Sequence, residues 1–280
     1  MSIDPKRSRL SFQKLSRELT RLTNKPEAES VHKFRTYSRR VEAVLSEVAH
    51  KRHRNDDKLL ELLARLRKKA GKVRDLDVQI TCLRNLKVPQ SNGQKSQLMN
   101  ALLEERSLRE KKLVKAFDRK TADEIRKRLK RSAHEISIPR DAEPLAVTLG
   151  KLAQLGRGNG QLSEKTLHQY RIVGKRVRYV AELDSDDPQA RRVIEQLKHM
   201  QDVIGDWHDW LKLTEKAERL LGDVRQSSLV AMLRNVTQAK FRQSVQVVSE
   251  LRNNLFAEKR QPGTASRKVA PRTATQAAVA

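Results

Sequence analysis

Two segments of the chain, 136 residues apart, carry the same pattern of residues that can bind anions. Each has a histidine, an arginine three positions later, and a basic pair after that: "VHKFRTYSRR" contains His32 and Arg35, and "LHQYRIVGKR" contains His168 and Arg171. Residues three and four apart lie on the same face of a helix. The pattern therefore predicts two helices that each present a strip of cations and imidazole.

Each predicted helix has a second face that is apolar. The basic strips are His32, Arg35 and Arg39 in one segment, and His168, Arg171, Lys175 and Arg178 in the other. The apolar faces lie about 120° away on the helical wheel and predict the buried side: Val31, Phe34, Ser38, Val41 and Leu45, then Leu167, Tyr170, Gly174, Val177 and Ala181. A solvated helix face usually mixes Glu with Lys, whereas the strip from 32 to 39 contains no acid.

A row of cations on a helix suits a linear chain of phosphates. Cations one turn apart are spaced by about 5.4 Å, and linked phosphates repeat at a somewhat shorter distance. Arginine offers phosphate a planar fork of donors, lysine adds a point charge, and histidine becomes a further donor when it is protonated. Candidates that would extend this surface are Arg40, Lys68, Lys69, Lys72, Arg74, Arg176, Lys198 and His199. The alternative is that each strip is an ordinary solvated face.

The repeat continues beyond the basic strips. "LRKKAGKVRDLDV" at 66–78 resembles "MQDVIGDWHDWL" at 200–211, so that Gly71 corresponds to Gly205 and Asp75 to Asp209, while Arg74 is replaced by His208. Two motifs in the same order at similar spacing predict a tandem duplication of a helical bundle, packed about a pseudo-two-fold axis.

Three acids, Asp75, Asp77 and Asp209, have alternative roles at this stage. They could orient binding arginines from behind. They could be helix caps or surface ion-pair partners. The third possibility is metal ligation, because His208-Asp209 spells the dyad of metal-dependent phosphohydrolases, with His32 or His168 and Asp75 as the remaining ligands.

The elements that must position these residues are predicted to be helices throughout. Apolar residues recur at helical spacing from Leu10 onward, no alternating strand is found, and Gly71 and Gly205 are interpreted as helix breaks. Trp207 and Trp210 are predicted to belong to the core. Residues 258–280 are predicted to form a disordered basic tail.

Composition points to an anionic partner. The formal net charge is +26, of which the tail carries only +4, so the charge belongs to the folded part. Aromatic residues make up 4% of the chain, which leaves few platforms for stacking bases and favours a partner bound through phosphates. The N-terminal segment lacks the apolar region of a secretory signal, and no apolar run approaches the ~20 residues of a membrane span, so we expect a cytoplasmic protein.

The paired motifs, together with "KVRDLDV" and "GDWHD", resemble the CHAD family (conserved histidine α-helical domain) over residues 8–257. The resemblance implies an all-α fold of two four-helix-bundle-like halves, about 8–135 and 142–257, around a basic central pore. It also implies binding of inorganic polyphosphate and association with polyphosphate granules. The binding positions it implies are His32, Arg35, Arg39, Arg40, His168, Arg171, Lys175, Arg176 and Arg178. No "E-x-E-x-K" string of the triphosphatases fused to some CHAD proteins is present, so the chain resembles the stand-alone form.

These observations predict a polyphosphate-binding protein without catalysis, metal or cofactor. The predicted site comprises the nine positions above with Lys72, Arg74 and His208, supported by Asp75, Asp77 and Asp209. One alternative is a nucleic-acid-binding helical protein, since charge alone would give weak affinity for nucleic acid. The other is a metal-dependent phosphohydrolase. The role of His208 and the oligomeric state stay open.

Overall fold

The chain folds into α-helices connected by short segments. The computed structural model describes residues 5–24, 27–88, 93–139, 143–156, 161–184 and 188–257. Within these ranges there are nine α-helices and no strand: α1 Pro5–Asn24, α2 Ala28–Ala43, α3 Arg54–Asn85, α4 Gln94–Ala116, α5 Arg119–Glu135, α6 Pro144–Gly156, α7 Glu164–Ala181, α8 Pro188–Leu221 and α9 Ser228–Ala257. The predicted all-α fold is confirmed. The predicted tail at 258–280 lies outside the described residues.

The helices pack in two similar series. In the first, α1, α2, α3 and α4 each pack on the next, and in the second α6, α7, α8 and α9 do the same. Helix α5 packs on α1 and α3. The two series meet where α2 contacts α7 and where α3 contacts α8. Internal duplication, its two halves and a central pore stay predictions.

The buried faces follow the predicted helical periodicity. All five apolar-face residues of α2 and its extension, and all five of α7, are buried. Trp207 is also buried, and Trp210 packs against a second apolar cluster formed by α3, α4, α8 and α9. Phe34 on α2 meets Phe117, just after α4, edge to face with ring centroids 5.1 Å apart. Because these faces are buried, the basic strips on the same helices point away from the apolar core.

The predicted helix breaks at Gly71 and Gly205 are wrong. Helix α3 runs through Gly71 from Arg54 to Asn85, and α8 runs through Gly205 from Pro188 to Leu221. A glycine inside a helix costs only about 1 kcal/mol relative to alanine, and packing of the apolar face outweighs this cost. By contrast, Gly222 just after α8 adopts φ +82°, which is the conformation typical of a helix stop.

No helix in the described ranges is long and apolar enough to cross a membrane.

Candidate functional site

The contact between α2 and α7 brings the two predicted basic strips together. Arg35 and Arg39 on α2 lie close to Arg171, Lys175 and Arg178 on α7, and we call these five residues the basic cluster. Burial lowers the pKa of Arg171, and the charge of Arg39 from the other helix lowers it further. The same combination of burial and neighbouring positive charge lowers the pKa of Arg35. Side chains 136 residues apart in sequence therefore share one electrostatic environment.

Lys175 shows the strongest effect of this environment. Burial, followed by the charges of Arg171, Arg39, Arg35 and Arg178, lowers the pKa of its amine from 10.5 to about 7. No carboxylate in the described part of the chain pairs with Lys175 or with Arg39. Structural lysines are usually exposed or paired. Within the basic cluster, Arg39 and Lys175 thus lack a neutralising partner among the described residues.

The glycine of the first repeated motif makes room for a partly buried arginine. Arg35 on α2 lies across Gly71 on α3, where an added Cβ would collide with its guanidinium, and its Nη1 donates to the carbonyl of Arg67 at 3.2 Å. At the corresponding position, Arg171 on α7 lies over Gly205 on α8, with its Nη2 3.9 Å from an added Cβ. Gly71 therefore allows the close approach of an arginine and does not make a turn, whereas at Gly205 an added Cβ would be at ordinary van der Waals distance from the arginine.

Two of the three predicted supporting acids face the arginines. Burial raises the pKa of Asp75, the Arg35 charge opposes this rise, and the nearby Asp209 reinforces it. Asp209 in turn acts on Arg171. Asp75 remains accessible to solvent although protein surrounds it, as expected for a side chain in a concave site. The two acids thus lie close to the arginines, one from α3 and one from α8.

Asp77 does not join this arrangement. Its Oδ1 accepts a hydrogen bond from Arg106 Nε on α4 at 2.6 Å, and the same guanidinium also bonds Glu110. Asp77 therefore ties α3 to α4 and does not orient a residue of the basic cluster. The reason is helical geometry, because two residues beyond Asp75 the helix has turned by about 200°.

Three histidines lie beside the basic cluster. The rings of His168 and His208 stack with centroids 6.2 Å apart, and His208 Nδ1 is 3.8 Å from Asp209 Oδ1. Burial lowers the pKa of His32, as do the charges of Arg74, Arg35 and Lys175, in that order. Burial lowers the pKa of His168 as well, with His208 as the next cause. Two imidazoles with a lowered pKa, those of His32 and His168, accordingly border the cluster.

The histidines and acids were also candidates for metal ligation. In the ranges that the structure describes, no group of three or more His, Cys, Asp or Glu side chains is arranged to hold a metal ion.

Of the remaining predicted residues, one lies at the edge of the site, two lie away from it, and two are paired with an acid. Arg74 acts on His32 and belongs to the edge of the site. Lys72 and Arg176 are exposed, and among the described residues neither has a contact with the basic cluster. Arg40 and Arg178 share an acid that the sequence analysis missed: Glu182 accepts from Arg40 Nε at 2.8 Å, and its other oxygen is 3.7 Å from Arg178 Nη1. At this end, the predicted strips are neutralised.

Sequence reasoning also missed three further neighbours of the cluster. Arg67 donates to the Ser38 carbonyl at 3.1 Å and to its hydroxyl at 3.2 Å, and it pairs with Glu42. Tyr179 is buried beside Arg35, Arg67 and Arg171. Lys212, one turn after His208, acts on His168. Only Arg67 carried a sequence signal, because it stands one turn before Gly71 in the repeated motif.

A family model and two solved structures resemble this chain. The family model of the CHAD domain matches residues 8–218. The chain is similar in structure to the CHAD domain from the plant Ricinus communis, with a TM-score of 0.66 and 16% identity over 88% of each chain. It is also similar to PptA from Streptomyces chartreusis, with a TM-score of 0.62 and 15% identity over 89% of this chain and 96% of that one. No curated protein matched the chain. Since the family match spans most of the sequence, the chain belongs to the CHAD domain family.

Proposed function

We propose that the chain binds inorganic polyphosphate at the basic cluster and carries out no catalysis there. The observation that carries this proposal is that Arg39 and Lys175 have no carboxylate partner among the described residues and lie among partly buried arginines from α2 and α7. Like charges at close range destabilise the fold, and a polyanion offsets that cost only when it binds. Membership of the CHAD family, which is linked to polyphosphate binding, supports the choice of ligand.

The proposed binding residues are Arg35, Arg39, Arg171 and Lys175. Arg171 Nε is buried and has no hydrogen-bond partner among the described residues, so no acceptor of the protein satisfies this donor. His32, His168 and His208 border this set and would add donors when they take up protons. The two helical series would then form halves around a shared basic pore, and association with polyphosphate granules would follow from binding.

A competition experiment tests the choice of ligand. Labelled polyphosphate is bound at physiological salt and challenged with unlabelled polyphosphate, pyrophosphate or DNA. We expect displacement by polyphosphate and none by an equal phosphate concentration of DNA. Efficient displacement by DNA would instead indicate a general polyanion or nucleic-acid surface, and the proposal would be wrong.

A pair of matched variants tests the site. Arg39→Gln with Lys175→Gln removes two charges from the cluster, and Lys127→Gln with Lys130→Gln removes two exposed charges from α5. A charge-assisted hydrogen bond contributes about 1.5–3 kcal/mol, and the first pair removes two such donors. We therefore expect this pair to weaken binding by at least about 100-fold. The α5 pair should change affinity by less than about threefold at physiological salt, where exposed charges are screened. Equal losses in both pairs would refute the assignment.

A phosphate-release assay tests for catalysis. Wild-type protein and His208→Ala are incubated with polyphosphate and added divalent cations. We expect no release above the protein-free control. Release that requires a metal and disappears in His208→Ala would establish a hydrolase.

A further inference from the structure

Glu182 lies between two arginines that belong to different basic strips. It follows α7 directly, where it accepts from Arg40 Nε on α2 at 2.8 Å and approaches Arg178 Nη1 at 3.7 Å. Its side chain is 19% exposed, so this is a largely enclosed carboxylate and not a mobile surface acid. The contact links residues that are 142 positions apart in the sequence.

Both arginines are also held by aromatic rings. The Arg40 guanidinium lies over the Tyr37 ring at 5.4 Å, and the Arg178 guanidinium lies over the Tyr179 ring at 5.1 Å. Cation–π contacts of this kind restrict the guanidinium to one orientation. Both guanidinium groups therefore lie beside a single acid, Arg40 through a hydrogen bond and Arg178 through a longer ion pair.

A carboxylate and a phosphate compete for the same arginine geometry. Arginine binds both anions through parallel N–H donors, so Glu182 occupies a place that suits a phosphate group. A ligand phosphate at this place would have to displace Glu182 and would be repelled by its charge. Lys175 and Arg39, in contrast, have no such internal anion in the described part of the chain.

We propose that Glu182 marks the end of the anion site and thereby limits how many phosphates the chain can hold. This inference rests on the proposed function, because it concerns the same site. Glu182 acts as a specificity-determining residue: it keeps Arg40 and Arg178 occupied, and bound polyphosphate extends from the histidine side only as far as Arg39 and Lys175. Neutralising Glu182 makes the place between Arg40 and Arg178 available to one more phosphate.

The experiment compares Glu182→Gln with wild type against long polyphosphate and tripolyphosphate. Long chains should bind E182Q at least about tenfold more tightly, since one additional charge-assisted phosphate contact is worth about 1.5–3 kcal/mol. The slope of log affinity against log salt should steepen by about 0.7 for each added phosphate contact. Tripolyphosphate, which the existing cluster already accommodates, should bind both proteins equally.

Glu47→Gln is the matched control. Glu47 accepts from Lys151 Nζ at 2.7 Å in another interhelical ion pair, and its replacement changes the net charge by the same amount. It should leave affinity and salt slope unchanged. If E47Q and E182Q behave alike, or if E182Q gains equally for short and long chains, the effect is one of net charge and the proposal is overturned.

Two further measurements make the result independent of how E182Q folds and of the proposed function. Arg40→Gln in the wild-type background should change long-chain affinity by less than about twofold, because Glu182 already occupies Arg40; a tenfold loss would overturn the proposal. Sulfate should raise the melting temperature of E182Q more than that of wild type, and adding Arg40→Gln should remove this gain. If wild type binds no polyphosphate, the proposed function fails, whereas the sulfate comparison still decides the role of Glu182.

Discussion

Replacing Lys175 with methionine should stabilise the free protein. The fold holds this amine at a pKa of about 7 instead of 10.5, which corresponds to about 5 kcal/mol of unfavourable burial and repulsion for the charged form. The Lys175 side chain is only partly buried, so solvent screening reduces this figure, and we expect a gain of about 2 kcal/mol. Methionine has a similar length and keeps the packing of the lysine stem.

The gain should depend on pH in a defined direction. Below pH 7 the amine is charged in both the folded and the unfolded protein, and the wild type bears the full cost. Between pH 7 and 10.5 the folded protein has lost the proton that the unfolded chain still holds, so the stability of the wild type rises with pH. The advantage of Lys175→Met should accordingly be largest at pH 6 and disappear toward pH 10.

Urea unfolding of both proteins at several pH values measures this difference. Lys127→Met, on the exposed side of α5, serves as a control and should stay within about 0.5 kcal/mol of wild type. The same Lys175→Met variant should bind polyphosphate more weakly. A variant that is less stable than wild type at pH 6, or a difference that does not change with pH, would refute the electrostatic reasoning.

Three further predictions follow from the structure. Gly71→Ala should weaken polyphosphate binding at least about tenfold, because the new Cβ displaces the Arg35 guanidinium above it. Gly150→Ala is the control: its Cβ meets no neighbour within 4 Å, so it should stabilise its helix by about 0.5–1 kcal/mol without affecting binding. Binding and melting curves of both variants check this. Polyphosphate binding at pH 8 should be accompanied by the uptake of about one proton, because a bound phosphate raises the lowered pKa of Lys175. Calorimetry in buffers of different ionisation enthalpy measures this uptake, which should be reduced in Lys175→Met. Ser132→Ala should lower the free energy of unfolding, measured in urea, by about 2 kcal/mol and leave binding unchanged. Its buried hydroxyl accepts from Asn55 at 2.8 Å and donates to Asp56 at 2.5 Å, and this network lies away from the site. An unchanged free energy of unfolding would show that the network does not stabilise α3 against α5.

Helical periodicity was sufficient to predict the faces of the two repeated helices. The buried positions of α2 and α7 and the strips of cations beside them follow from 3.6 residues per turn, which is a local property of the chain. The same local reasoning failed at Gly71 and Gly205. Glycine is a poor helix former, but its effect of about 1 kcal/mol is small beside the burial of a long amphipathic helix. The close approach of Arg35 to Gly71 is a tertiary contact that no local pattern reveals.

The sequence by itself determined the fold class, the repeated basic strips and their excess of positive charge, because composition and spacing are carried by neighbouring residues. Only the tertiary structure decided which of those charges are unpaired. Arg40 and Arg178 are engaged by Glu182, Asp77 turns away to Arg106, and Lys175 lies among like charges. Ion pairing and burial depend on distances between residues that are far apart along the chain, and packing of α2 against α7 sets those distances.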